Sequence, residues 1–284
     1  MQKLRRWSIL VFFVAFTVHQ GNAAQAEISF FRLFKTLSYE QTSNAQPSTL
    51  AIASGDATIL YNDVNDFSTA QVNSTSPLSP MALTPSFTGA VSYGQLFATS
   101  GDLDTDFPDN TIYAFGISGG TLGTDAAALN TPATSIYASQ VPYFNGTTYD
   151  QLQGMDPAAP FSFTFDGYAA PVGGNTPLIF FSITRDSDGA FIYGDSGANT
   201  LTSFLAPANT LEPNTAYTVS LIYSSRIDTP NAGFNGATAE VGYDLRTNLG
   251  FTTAVPEPAS VCLLAMTGLG LLVGSRFRRS QIAN

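Results

Sequence analysis

Cysteine, histidine and tryptophan occur once each, and all three lie near the ends of the chain: Trp7 and His19 near the start, Cys262 near the finish. Residues 27–254 contain none of them. Without cysteine that body has no disulfide framework, so its stability must come from an apolar core. Without histidine or cysteine it lacks the side chains that zinc sites are built from. A serine nucleophile there would have no imidazole to take its proton. Lysine is almost missing too, Lys35 being the body's single one. The indole platforms common in sugar clefts are absent. Positive charge is scarce: Arg32, Lys35, Arg185, Arg226 and Arg246 stand against twenty acidic residues. Such a surface repels nucleic acid and anionic lipid, whose phosphates are held by lysine and arginine.

What is present is clearest at the two ends. Lys3, Arg5 and Arg6 precede an apolar stretch, Trp7–Val18, and small residues follow. Ala24-Gln25-Ala26 has the A-x-A form, which predicts a signal peptide over 1–26 cut after Ala26; Asn22-Ala23-Ala24 offers a second register. At the other end Pro256-Glu257-Pro258 is followed by an uncharged run, Ala259–Gly274, and then by Arg276, Arg278 and Arg279. The run is slightly shorter than the roughly 20 residues that span a hydrocarbon core. It predicts a single transmembrane helix with the arginines on the cytoplasmic side. Neither proline suits a helix interior, so the tripeptide reads as an extended break at the membrane surface.

Tripeptide, short apolar helix and arginine cluster, in that order over about 255–279, resemble the PEP-CTERM sorting signal of Gram-negative bacteria. The resemblance implies processing by an exosortase near Pro256-Glu257-Pro258 and transient anchoring in the inner membrane. It further implies export, after signal peptidase has acted, to the cell surface or to an exopolysaccharide-rich biofilm matrix.

Between the ends the pattern is that of short strands. Phe31, Leu33 and the Lys35 stem alternate with Phe30, Arg32 and Phe34, which favours a strand over 27–37. Residues 41–58 and Ser68–Pro85 are polar or proline-rich and are expected to be mostly loop. Ser86–Tyr93 and Thr111–Ile117 read as paired strands, and Thr124–Leu129 as a helical turn. Further on, Phe161, Phe163 and Phe165 alternate with polar residues. Leu178–Thr184 suits a central strand, and Asp188-Gly189 a hairpin turn. Tyr217, Val219, Leu221 and Tyr223 alternate, as do Ala239, Val241 and Tyr243.

The expected fold is therefore all-β, a β-sandwich, with an N-terminal β-rich region over 27–134, a second β-region over 135–254 and the sorting signal over 255–284. Leu211-x-Pro213-x-Thr215-x-Tyr217 resembles the segment before a late strand of immunoglobulin-like and fibronectin type III domains. That resemblance implies a fibronectin type III-like β-sandwich over 135–254 and a tyrosine corner, with the Tyr217 hydroxyl bonded to upstream backbone and its ring in the core.

Candidate chemistry is sparse. Gly116-Ile-Ser118-Gly-Gly120 fits the G-x-S-x-G pattern, and Gly194-Asp-Ser196-Gly resembles the segment around a protease nucleophile, but both need a general base, and the body has no histidine and only Lys35 as a lysine. Asp102, Asp104, Asp106 and Asp109 form an acidic segment with the alternate carboxylates that can hold calcium. It departs from an EF-hand loop, since Phe107 stands where glycine is needed and Tyr113 where a bidentate glutamate is needed. No other cofactor is implied. These observations point to an exported, non-enzymatic surface or matrix protein. The alternatives are a secreted carbohydrate-binding module, with or without calcium, and a carboxylate-based glycoside hydrolase.

Overall fold

The computed structural model describes residues 28–63, 66–169, 171 and 176–255. The signal-peptide residues Ala24 and Ala26, the sorting tripeptide and the arginine cluster lie outside the described residues. Among the described residues no helix is long and apolar enough to cross a membrane.

The elements in chain order are β1 (Ile28–Glu40), β2 (Leu50–Tyr61), β3 (Thr69–Asn73), β4 (Met81–Phe87), β5 (Ala90–Phe97), α1 (Ser100–Asp106), β6 (Ile112–Ser118) and β7 (Asp125–Asn130). They continue with α2 (Thr148–Leu152), β8 (Phe161–Thr164), β9 (Thr176–Arg185), β10 (Phe191–Ala198), β11 (Ser203–Ala206), β12 (Ala216–Gly233) and β13 (Ala237–Thr252). The body is thus all-β, as its alternating apolar pattern predicts. Eleven strands form one sheet in the order β10-β9-β12-β13-β1-β2-β5-β4-β3-β6-β7, and β11 and β8 form a separate pair. The first and last strands, β1 and β13, lie side by side and parallel, in register from Phe30–Thr238 to Glu40–Asn248. The other named pairings are antiparallel.

The sheet coils back so that β7 lies against β12 and β13, with Ala127 seated where a side chain at Gly233 would be. This coil encloses a first core, built from Phe31, Leu33, Ile59, Val72, Phe115 and residues of β13 such as Val241. A second core lies between β9-β12-β13 and the β8–β11 pair. There Phe181 packs against Phe163 and Phe204, with ring centroids 4.7 and 5.2 Å away. β13 supplies Ala239 and Val241 to the first core and Leu245 and Leu249 to the second, so one strand runs through both. Residues 27–134 supply most of the first core and 135–254 most of the second.

Several local expectations need correction. Ser86–Tyr93 is two strands, because Gly89 adopts φ +82° and turns β4 into β5. β5 pairs with β2 and β4, whereas the 111–117 segment becomes β6 and pairs with β3 and β7. The proline-rich 68–85 stretch holds β3 and most of β4, and β2 begins already at Leu50. Thr124–Leu129 is strand β7 and not a helical turn. Alanine's helix preference is a fraction of a kcal/mol per residue, and pairing with β6 outweighs it.

Candidate functional site

The body's single lysine sits on the inner face of β1. Alternation puts Phe31, Leu33, Lys35 and Leu37 on that face, and Lys35 is 0% exposed. Its neighbours in register are Tyr243 on β13 and Gly55 on β2. Gly55 has no side chain there because the Phe107 ring fills the place: a Cβ would lie 2.4 Å from it. Phe107 follows the last residue of α1, and Thr99 caps its start. The Thr99 hydroxyl accepts the Asp102 N–H at 3.1 Å and donates to the Asp102 carboxylate at 2.8 Å. Leu103 buries the underside of the helix.

This docking brings Asp104 onto the lysine. Lys35 Nζ donates to Asp104 Oδ1 at 2.5 Å and to Asp109 Oδ1 at 3.2 Å. Asp109 also accepts from Tyr243 Oη at 2.6 Å and from Ser135 Oγ at 2.5 Å. Tyr113 Oη donates to the Pro108 carbonyl at 2.9 Å, steadying the loop that carries Asp109. The Tyr137 ring meets Tyr243 edge-on at 5.2 Å, and its buried hydroxyl has no hydrogen-bond partner among the described residues. Burial first, and then nearby carboxylates (Asp109 for Tyr113 and Tyr243, Asp104 ahead of Asp109 for Tyr137), pushes the pKa of all three hydroxyls far above that of an ordinary phenol. All three stay neutral, so Tyr243 remains a donor to Asp109. A fully buried ammonium is costly unless its protons are matched by acceptors, and the two carboxylates supply them.

The four aspartates expected to hold calcium are therefore divided. Asp102 lies in the first turn of α1, its N–H bonded to the capping Thr99, and Asp106 is the last residue of that helix, while Asp104 and Asp109 converge on Lys35. The acidic segment is helical over Ser100–Asp106, because the Thr99 side chain caps the helix by accepting the Asp102 N–H. Among the described residues no group of three or more metal-ligating side chains is gathered. Sequence reading missed Lys35, Ser135 and Tyr243 as partners. The available signal was a lone lysine at an inward position of an apolar strand.

The other expected residues fall into structural places. Tyr217 is 0% exposed, and its Oη accepts the Glu212 N–H at 2.8 Å, the geometry of a tyrosine corner. Ser118 ends β6, its hydroxyl 2.7 Å from that of Thr69, and Gly119 and Gly120 turn the chain with positive φ. Ser196 lies within β10, not in a turn.

A second polar cluster occupies the opposite face of the central strands. The Phe34 ring lies across Gly242 and is flanked by two guanidinium groups, Arg32 at 4.9 Å and Arg226 at 5.1 Å from its centre. Arg226 also lies over Phe180 and pairs with Glu240 at 3.2 Å. Burial lifts the Glu240 carboxyl from 4.5 to about 7; Arg226 and Arg32 oppose the rise, and Asp228 adds to it.

Two shallow hollows are found elsewhere, one beside Glu40 and Thr42, the other beside Arg185 and Glu212. Phe191 is the one aromatic among the exposed large apolar side chains of the described residues.

No protein-family model matches the chain, and no curated protein matches it in sequence. Among solved structures it is similar to the FN1–FN3 domains of chicken CNTN1, at 10% identity and a TM-score of 0.25, over 82% of this chain and 68% of that one. It is also similar to a 1.5-MDa bacterial ice-binding adhesin, at 13% identity and a TM-score of 0.23, over 82% of this chain and 66% of that one. At such scores neither likeness bears on function.

Proposed function

We infer that the chain is the precursor of an exported, non-enzymatic protein of the cell surface or extracellular matrix, released or transferred by an exosortase. The observation that carries this reading is the position of the sorting tripeptide relative to the fold. The last residues of the body are tied down: Thr253 Oγ1 donates to the Glu212 carbonyl at 2.7 Å, and the Ala254 N–H to the Met155 carbonyl at 2.8 Å. Val255 is 66% exposed, and Pro256-Glu257-Pro258 follows at once. A processing enzyme that cuts at the tripeptide would act beyond these two bonds. The acidic composition fits a soluble product that avoids anionic lipid. On this reading exopolysaccharide or like subunits are the body's contacts, and signal peptidase and the exosortase are its partners during export.

Mass spectrometry of the protein from cells with and without the exosortase tests this. The expected mature C-terminus lies near Pro256–Pro258 in the first and beyond Arg279 in the second. A C-terminus beyond Arg279 in both refutes the reading.

A further inference from the structure

We propose that the Lys35 amine and the Asp104 carboxyl condense within the folded chain to an amide, joining β1 covalently to α1. The amine nitrogen is 2.5 Å from Asp104 Oδ1. The carboxyl carbon is one C–O bond further on, within about 3.7 Å. That is close to the roughly 3–3.5 Å from which well-oriented intramolecular reactions start. Three features favour the reaction. The lysine side chain is 0% exposed while that of Asp104 is 54% exposed, so the amine is shielded from bulk water and a released water has a way out. A second carboxylate, Asp109, lies 3.2 Å from the same nitrogen and serves as proton carrier. The Tyr243 and Ser135 hydroxyls hold that carboxylate in position.

The step balances without any further reagent. A proton passes from the Lys35 ammonium to Asp104 along their hydrogen bond, leaving a neutral amine and a neutral carboxyl, and the amine lone pair attacks Cγ of Asp104. The C–N bond forms, a tetrahedral centre results, and Asp109 takes one proton from the nitrogen. Asp109 gives that proton to the hydroxyl on Cγ, the Cγ–O bond breaks and water leaves. An ammonium and a carboxylate become one neutral amide, which removes the desolvation cost of the buried charge. The body has no cysteine, so this amide is a covalent restraint of a kind that disulfides would otherwise provide.

The proposal does not depend on how the protein is exported. The full chain, purified from its cells and unfolded, is digested with trypsin and its peptides are fragmented. The expected product is one peptide, residues 33–185, left uncut after Lys35 and lighter by one water than its sequence, which chymotrypsin then divides into a linked pair carrying Lys35 and Asp104. Asp104→Ala abolishes the link, and Asp109→Asn slows its formation several-fold in freshly made protein. Two separate peptides of full mass in the wild type overturn the proposal, and so does a link from Lys35 to Asp109. If Asp109→Asn links as fast as wild type, the proton-carrier assignment falls.

Discussion

Replacing Glu240 by glutamine is expected to abolish most of the pH dependence of stability between about pH 5 and pH 8. Glu240 lies on β13 in register with Arg32 of β1 and Asp228 of β12, and its side chain is 7% exposed. Removal from water is the main reason its carboxyl rises from 4.5 to about 7. A rise of that size corresponds to on the order of 3 kcal/mol of linkage between protonation and folding. The native state holds a proton that the unfolded chain has released. The contribution is therefore complete below the unfolded value of 4.5 and is lost as pH rises through about 7. Burial raises Asp56 and Glu40 as well, which acts in the same sense. Residues 27–254 contain no histidine to add an opposing titration in this interval. Urea unfolding followed by circular dichroism at several pH values gives the measurement. The wild-type midpoint should fall steadily from acid to alkaline pH. Glu240→Gln, which keeps the shape of the neutral side chain, should give a flatter curve that lies above the wild type at about pH 8. A wild-type midpoint that stays level or climbs over the interval refutes the reasoning.

Two further substitutions have definite expectations. Tyr217→Phe removes the acceptor for the Glu212 N–H while keeping the ring in the second core, and should cost about 1 kcal/mol in denaturant unfolding. An unchanged midpoint would show that the corner bond contributes nothing. Gly55→Ala forces a methyl group against the Phe107 ring, which is wholly buried and has nowhere to go. Overpacking of this kind costs about 1–3 kcal/mol, and amide exchange should speed up in α1 more than in β9.

The strands legible in the sequence are those whose apolar residues alternate over a long span. In β1, β12 and β13 every second side chain meets a core, so Phe31, Tyr217 and Val241 announce their direction. The illegible strands are short or unusual in composition. β3 and β4 sit among prolines and serines, and half of β7 is alanine, so pairing with neighbours makes them strands. The parallel β1–β13 contact joins residues some two hundred positions apart and leaves no local signal. The Lys35 cluster was half visible. Its carboxylates stood out as a group, but their partner came from another element through the sheet register. A capping pattern, Thr99-x-x-Asp102, is present in the sequence and marks the start of α1.

The parallel pairing of β1 with β13 has a mechanical consequence. The body's chain enters at the start of β1 and leaves at the far end of β13, and the two strands run the same way. A pull between those ends drags the strands past each other along their length. All the ladder bonds from Phe30 to Glu40 then bear load together, where a pull across the strands would open them one after another. A domain strung between a cell surface and a matrix by its two ends would meet tension in its strongest direction.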